Sequence, residues 1–121
     1  MTLRGAALLV VLTGCANRLA VPTEALHGGE GFVVVPFPPP VAHVEQVPPQ
    51  PGLTAVWLDG SWEWTGSRYE WQRGRWAEPP APGSRHASAG VVRSPTGVLY
   101  YYPSRWYRPD GTPMTEPKGS R

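Results

Sequence analysis

Between positions 57 and 76 the chain reads WLDGSWEWTGSRYEWQRGRW, and inside that run Trp57-x-x-Gly60-x-Trp62 returns fourteen residues later as Trp71-x-x-Gly74-x-Trp76. A period that short does not build a solenoid; it suits two strand-sized pieces and their turns. Trp62-Glu63-Trp64 and Tyr69-Glu70-Trp71 alternate with period two, the signature of β-structure. Between them, Gly66-Ser67 fits the two central positions of a type II′ hairpin turn. Pairing about that turn makes partner numbers sum to 133, so Trp64 faces Tyr69, Trp62 faces Trp71 and Trp57 faces Trp76. Every aromatic of the segment then has an aromatic directly across, each such pair contributing about 0.2–1 kcal/mol.

Two features complicate a flat hairpin. Trp57 and Trp62 are five residues apart, an odd spacing that puts them on opposite faces of a regular strand. Matched bulges near Asp59-Gly60 and Arg73-Gly74 restore a common face. Tight turns at the same two dipeptides give a meander of four short strands instead; the long bulged hairpin is favoured because Arg-Gly suits such a turn poorly. Glu63 falls opposite Glu70, which requires Arg68 or Arg73 alongside.

A lone hairpin is marginal in water, so more strands are expected. Val91-Val92, a Pro95-Thr96-Gly97 turn and the run from Val98 to Tyr102 form a second hairpin, with a short strand over Ser104–Arg108 ahead of a Pro109-Asp110-Gly111 turn. Tyr101-x-x-Ser104-x-Trp106 reads as a degenerate third copy of the repeat. The fold expected is all-β: a small antiparallel sheet built on a Trp-rich bulged hairpin, with a module over residues 53–108, a linker at 78–90 and a flexible tail at 109–121.

Composition separates this module from what precedes it. The chain of 121 residues holds 16 Pro and 14 Gly against 6 Trp, and one Cys. Pro36, Pro38, Pro39, Pro40, Pro48, Pro49 and Pro51 fix φ and remove backbone donors, so residues 15–52 are expected as an extended, proline-rich flexible tether, with a short edge strand over Val33–Val35. P-x-x-P spacing at Pro36 and Pro39 is also that of a ligand for proline-recognition domains; the spacer reading is preferred. One Cys excludes an internal disulfide, and a net charge of +2 excludes a strongly basic nucleic-acid binder.

The first fifteen residues, MTLRGAALLVVLTGC, have a charged start, an apolar run from Ala6 to Leu12 and small residues before Cys15. That is the layout of an export signal, and the run is about half of the roughly 20 residues that a membrane span needs. Leu12-Thr13-Gly14-Cys15 resembles the lipobox of bacterial lipoproteins. The resemblance implies removal of residues 1–14, a diacylglyceryl group on the Cys15 thiol and acylation, commonly with palmitate, of the new amine. Ala16, where Asp would signal inner-membrane retention, favours the outer membrane.

A second resemblance covers residues 43–80. Val44-Glu45, Pro48-Pro49-x-Pro51-Gly52, Val56-Trp57-x-x-Gly60-x-Trp62-x-Trp64-x-Gly66-x-x-Tyr69-x-Trp71-x-x-Gly74-x-Trp76 and Pro79-Pro80 together resemble the WxxGxW (YxWxxGxW) repeat proteins. Here Ala55 stands for the Tyr before the first Trp, and Asp59 and Arg73 for the Pro before the glycines. These are small exported bacterial proteins, many of them lipoproteins; the resemblance implies localisation and repeat architecture, and no catalytic residues.

Little else in the chain carries chemistry. His27, His43 and His86 lack ligand spacing, so no metal and no cofactor is expected. Glu63 and Glu70 form a carboxylate pair of the kind glycosidases use, but a two-stranded ribbon encloses no pocket. The candidate binding or core aromatics are Trp57, Trp62, Trp64, Tyr69, Trp71, Trp76 and Trp106. They serve either as the core of a small domain or as a platform which, flanked by Arg68, Arg73, Arg75, Arg105 and Arg108, stacks on sugars. The expectation is a non-enzymatic, membrane-anchored envelope lipoprotein with a structural or protein-interaction role, the alternative being a carbohydrate- or cell-wall-binding module. Its partners are then the membrane through the lipid and an envelope protein or polysaccharide, with no nucleic acid.

Overall fold

The computed structural model describes residues 18–114. The expected signal peptide and lipidated Cys15 lie outside the described residues, as does the tail from residue 115. The fold is all-β. Its strands are β1 (Thr23–Glu24), β2 (Val33–Val35), β3 (Val56–Leu58), β4 (Ser61–Trp64), β5 (Tyr69–Gln72), β6 (Arg75–Ala77), β7 (Arg85–Ala87), β8 (Gly90–Arg93), β9 (Leu99–Tyr102) and β10 (Arg105–Tyr107).

The first hairpin has the expected register. β4 pairs with β5 and β3 with β6, all antiparallel, and partner numbers sum to 133 on both sides of the break at Asp59-Gly60 and Arg73-Gly74. Each strand is interrupted by two residues, so the irregularities match and the register survives them. Pairing across Asp59-Gly60, which a meander requires, does not occur. At the turn Gly66 takes φ 107°, a left-handed value open to Gly because it has no Cβ, and the Thr65 N–H donates to the Arg68 carbonyl at 2.9 Å. The Glu63–Glu70 pair is relieved as expected: Arg68 Nη2 lies 2.8 Å from Glu70 Oε1.

The second hairpin is longer than its sequence indicates. β8 and β9 pair around Ser94-Pro95-Thr96-Gly97, with the Gly97 N–H donating to the Ser94 carbonyl at 2.9 Å and Gly97 at φ 88°. That is Pro at the second position of a turn closed by a left-handed Gly. Beyond a two-residue break, β7 pairs with β10, and the partner numbers of both ladders sum to 192. Both hairpins therefore share one frame: a three-residue strand, a two-residue break, a four-residue strand, a turn, and the same in reverse. Tyr101, Ser104 and Trp106 occupy the places of Trp71, Gly74 and Trp76, as the degenerate copy implies. His86-x-x-Ala89-x-Val91 occupies those of Trp57, Gly60 and Trp62, a fourth copy whose His86 and Ala89 lie in the stretch expected as linker; the linker contracts to residues 78–84.

The N-terminal stretch joins these hairpins. β1 pairs in parallel with β7, and β2 pairs antiparallel with β9. The module thus takes in residues well before 53, and the expected edge strand at Val33–Val35 is present. At the other end, Arg108-Pro109-Asp110-Gly111 turns back so that Tyr107 bridges Pro113 and the Met114 N–H donates to the Trp106 carbonyl at 2.8 Å. Residues 109–114 are therefore paired rather than a free tail. The core has two parts. Val35, Leu99 and Tyr101 are buried where Trp64, Tyr69, Ala89 and Val91 pack on them, while Ala55, Trp57, Leu58, Ala87, Trp106 and Tyr107 are buried toward the open ends of the hairpins.

Candidate functional site: an aromatic ladder under a proline strap

The three expected cross-strand pairs are all in contact at steep angles. Ring centroids are 5.5 Å apart for Trp57–Trp76, 5.3 Å for Trp62–Trp71 and 4.9 Å for Trp64–Tyr69, with interplanar angles of 67°, 68° and 63°. Edge-to-face geometry places a ring's positive edge on its partner's negative face, and such pairs contribute about 0.5–1.5 kcal/mol beyond area burial.

The glycines of the motif have a steric role. A methyl on Gly60 would collide with the Trp71 ring and the Gln72 carbonyl, and one on Gly74 would collide with the Trp57 ring. Neither glycine has positive φ. Each copy's leading Trp reaches diagonally across the ribbon to cover the glycine of the other copy, the diagonal neighbour within reach of a large ring. Trp57 and Trp71 line one cleft with Ala42, His43, Glu45 and Val47, so the matched breaks bring Trp57 onto the same side as Trp71.

The proline-rich stretch, expected as a spacer, runs along this ladder from turn to open end. The Tyr69 hydroxyl donates to the Phe37 carbonyl at 2.8 Å, Trp62 Nε1 to the Val41 carbonyl at 3.3 Å, and Trp76 Nε1 to the Pro48 carbonyl at 2.8 Å. Residues 38–50 lie outside any strand, and the prolines supply no backbone donors, so their carbonyls are open to indole and phenol donors. Phe37 stands edge-on to Trp64 and Tyr69 at 5.5 and 5.7 Å, and His43 contacts Trp62 and Trp71 at 4.9 and 4.6 Å. Residues 37–50 form a strap.

Glu45 fixes the strap to the repeat. One carboxylate oxygen accepts from Trp71 Nε1 at 2.5 Å and the other from the Gly74 N–H at 2.8 Å. Both donors belong to a single Trp-x-x-Gly copy, and one bidentate anion satisfies them. The Trp71 hydrogen bond, then that of Gly74, with the charges of Arg73 and His43 adding to them against some burial, hold the Glu45 carboxyl below the usual carboxylate range. A folded-state value lower than the unfolded one means that this contribution is complete above the ordinary Glu range, about 4.3, and is lost as pH falls through the depressed value. The near-UV circular dichroism of the Trp ladder should therefore lose intensity on acidification. Glu45→Gln should show reduced intensity already at neutral pH and a flatter acid limb. Asp110, lowered by its Thr112 hydrogen bonds, contributes with the same sign, and Asp110→Asn should leave the Trp signal unchanged.

The other expected site residues separate. Trp106 is buried in the second hairpin against His86, 4.8 Å away, apart from the first hairpin's ladder. The five arginines do not gather around the ladder. Arg68 pairs with Glu70, Arg105 lies against Gly31, Arg108 donates to Thr112, and Arg73 and Arg75 line a polar cleft with Asp59, Gln72 and His86. Glu63 and Glu70 are exposed side by side. Each histidine has an aromatic neighbour, His27 stacking on Tyr102 at 5.0 Å, and among the described residues no three His, Cys, Asp or Glu side chains gather to hold a metal. Sequence reasoning missed Glu45 as a site residue; its signal was an acid preceding a proline run and positioned to reach the ladder.

What fold and site define together is a pair of interrupted hairpins, the first sealed by an internal strap. Comparison of the chain with protein-family models, curated proteins and solved structures gives no match.

Proposed function

We propose that this chain is a non-enzymatic, lipid-anchored envelope protein with a structural or protein-interaction role, as its resemblance to the WxxGxW-repeat lipoproteins implies. The observation that carries the reading is the strap: indole donors of Trp62, Trp71 and Trp76 are satisfied by strap acceptors, so the aromatic surface serves the chain's own packing. The lipobox-like Leu12-Thr13-Gly14-Cys15 supports attachment through Cys15, and Ala16 supports the outer membrane. Cys15→Ser should move the protein from the membrane to the soluble fraction and abolish incorporation of labelled palmitate. A variant that stays in the membrane overturns the anchor.

A second reading, the carbohydrate-binding module, is favoured by one observation. Trp62 and Trp71 are only half-buried, and they line a cleft with Pro39, Pro40, Ala42 and Tyr101. Titration with peptidoglycan or polysaccharide fragments separates the two: unchanged Trp fluorescence supports the structural reading, and a saturable change supports the binding module.

A further inference from the structure

Residues 20–28 are fixed to the open ends of both hairpins. The Ala20 carbonyl accepts from the Trp57 N–H at 2.8 Å and the Ala25 N–H donates to the His86 carbonyl at 3.0 Å. Between them Thr23 and Glu24 pair with Arg85 and His86. The His27 ring donates to the Ser88 carbonyl at 2.6 Å, and the Gly28 N–H donates to the Tyr107 hydroxyl at 3.1 Å. β3 and β7 are the outermost strands of their hairpins, so this segment lies at the ends remote from the turns at Gly66 and Gly97. Val21 and Leu26 within it, and Leu19 just before it, are exposed, with 59%, 94% and 44% of their surface accessible.

Cys15 precedes Ala20 by five residues, and five fully extended residues span at most about 18 Å. The strap lies downstream of these fixing points and is folded along the ladder, so it adds nothing to that reach. The headgroup layer adds only several ångströms on each side of the hydrocarbon core, so acyl chains on Cys15 would hold the open ends of the hairpins near the lipid surface. We propose that the exposed segment carrying Leu19, Val21 and Leu26 rests on the phospholipid surface that holds the acylated Cys15, with both hairpin turns directed away from it.

The proposal rests on the lipid-anchor reading above. Lipid is the occupant the geometry favours because the anchor's short reach brings these three aliphatic side chains to the interface. Exposed Arg18 and Arg85 are offset by exposed Glu24 and Glu30. Apolar contact rather than charge therefore carries the association, and it should be insensitive to salt.

The test uses the full-length lipidated protein in vesicles of phosphatidylethanolamine and phosphatidylglycerol carrying spin-labelled lipid. Leu26→Cys and Ser67→Cys each supply one free thiol for an environment-sensitive fluorophore, since the thioether consumes Cys15. Both positions are exposed, so neither label disturbs packing. Mass spectrometry first establishes the diacylglyceryl group on Cys15. With it present, the Leu26 label should be quenched about threefold more strongly than the Ser67 label at the hairpin turn, as expected for a group at the acyl–headgroup boundary, at low and high salt alike. Equal quenching in the lipidated protein overturns the membrane-resting face and leaves the anchor standing. Absence of the lipid overturns the anchor, and this inference with it.

Discussion

Trp57→Ala should lower the free energy of unfolding by about 3–5 kcal/mol, the range for truncating a buried large aromatic. The Trp57 ring is 4% exposed, covers Gly74, meets Trp76 edge-on and donates from Nε1 to Asp59 at 2.8 Å. Its deletion opens a void between two backbone segments held apart by their own pairing, where collapse is restricted. A domain of ordinary stability has only about 5–15 kcal/mol in total, so the variant should be largely unfolded at physiological temperature. Urea denaturation followed by circular dichroism measures the loss. Trp76→Ala, which removes a half-buried ring, should cost less, and a loss below about 1 kcal/mol in Trp57→Ala would show that the ring is not a core element.

Gly60→Ala should cost about 1–3 kcal/mol, the usual penalty for one methyl too many in a packed site. The new methyl would enter the Trp71 ring and crowd the Gln72 carbonyl. Because the ring also holds Glu45, displacing it should weaken the strap as well, and Trp71 should become more accessible to acrylamide quenching. Gly90→Ala is the control: nothing lies within 4 Å of the methyl and φ is not positive, so that change should be neutral or stabilise by up to about 1 kcal/mol through reduced chain entropy. Equal destabilisation of both variants would mean that Gly60 is there for backbone freedom and not for the close approach of Trp71.

The register of the first hairpin was legible because its signal is redundant. Three aromatic pairs and one Gly-Ser turn all satisfy the same sum, and a one-residue slip breaks every pair at once. β7 was not legible. His86, Ala89 and Val91 fill the places of Trp57, Gly60 and Trp62 with residues of different size and polarity, and His86 and Ala89 lie inside a stretch whose Pro, Gly, Ala and Ser read as linker. The structural demand there is for something planar opposite Trp106 and something small at the break, which His and Ala satisfy without resembling Trp and Gly. The strap was hidden for another reason. A proline-rich stretch outside any strand has no period that reports a buried face, and its acceptors are main-chain carbonyls that every residue possesses. Only Glu45 and His43 differ from their surroundings in a way that sequence records, and neither carries meaning until the ladder is placed beside it. The five arginines were drawn together on the ladder by composition alone, whereas their positions in turns, breaks and strands of both hairpins disperse them.

The strap, finally, is held at both ends by paired strands, β2 on β9 of the second hairpin and β3 on β6 of the ladder itself. An occupant covalently joined to its groove by short connections acts at an effective concentration on the order of millimolar. A free peptide or glycan that met Trp62 and Trp71 as well as Val41, His43 and Glu45 do would still have to outcompete it at that concentration. Dilute soluble ligands are therefore poor competitors for this surface, whereas arrayed ones, such as a polymer or a second protein presenting several contacts at once, are not under the same handicap.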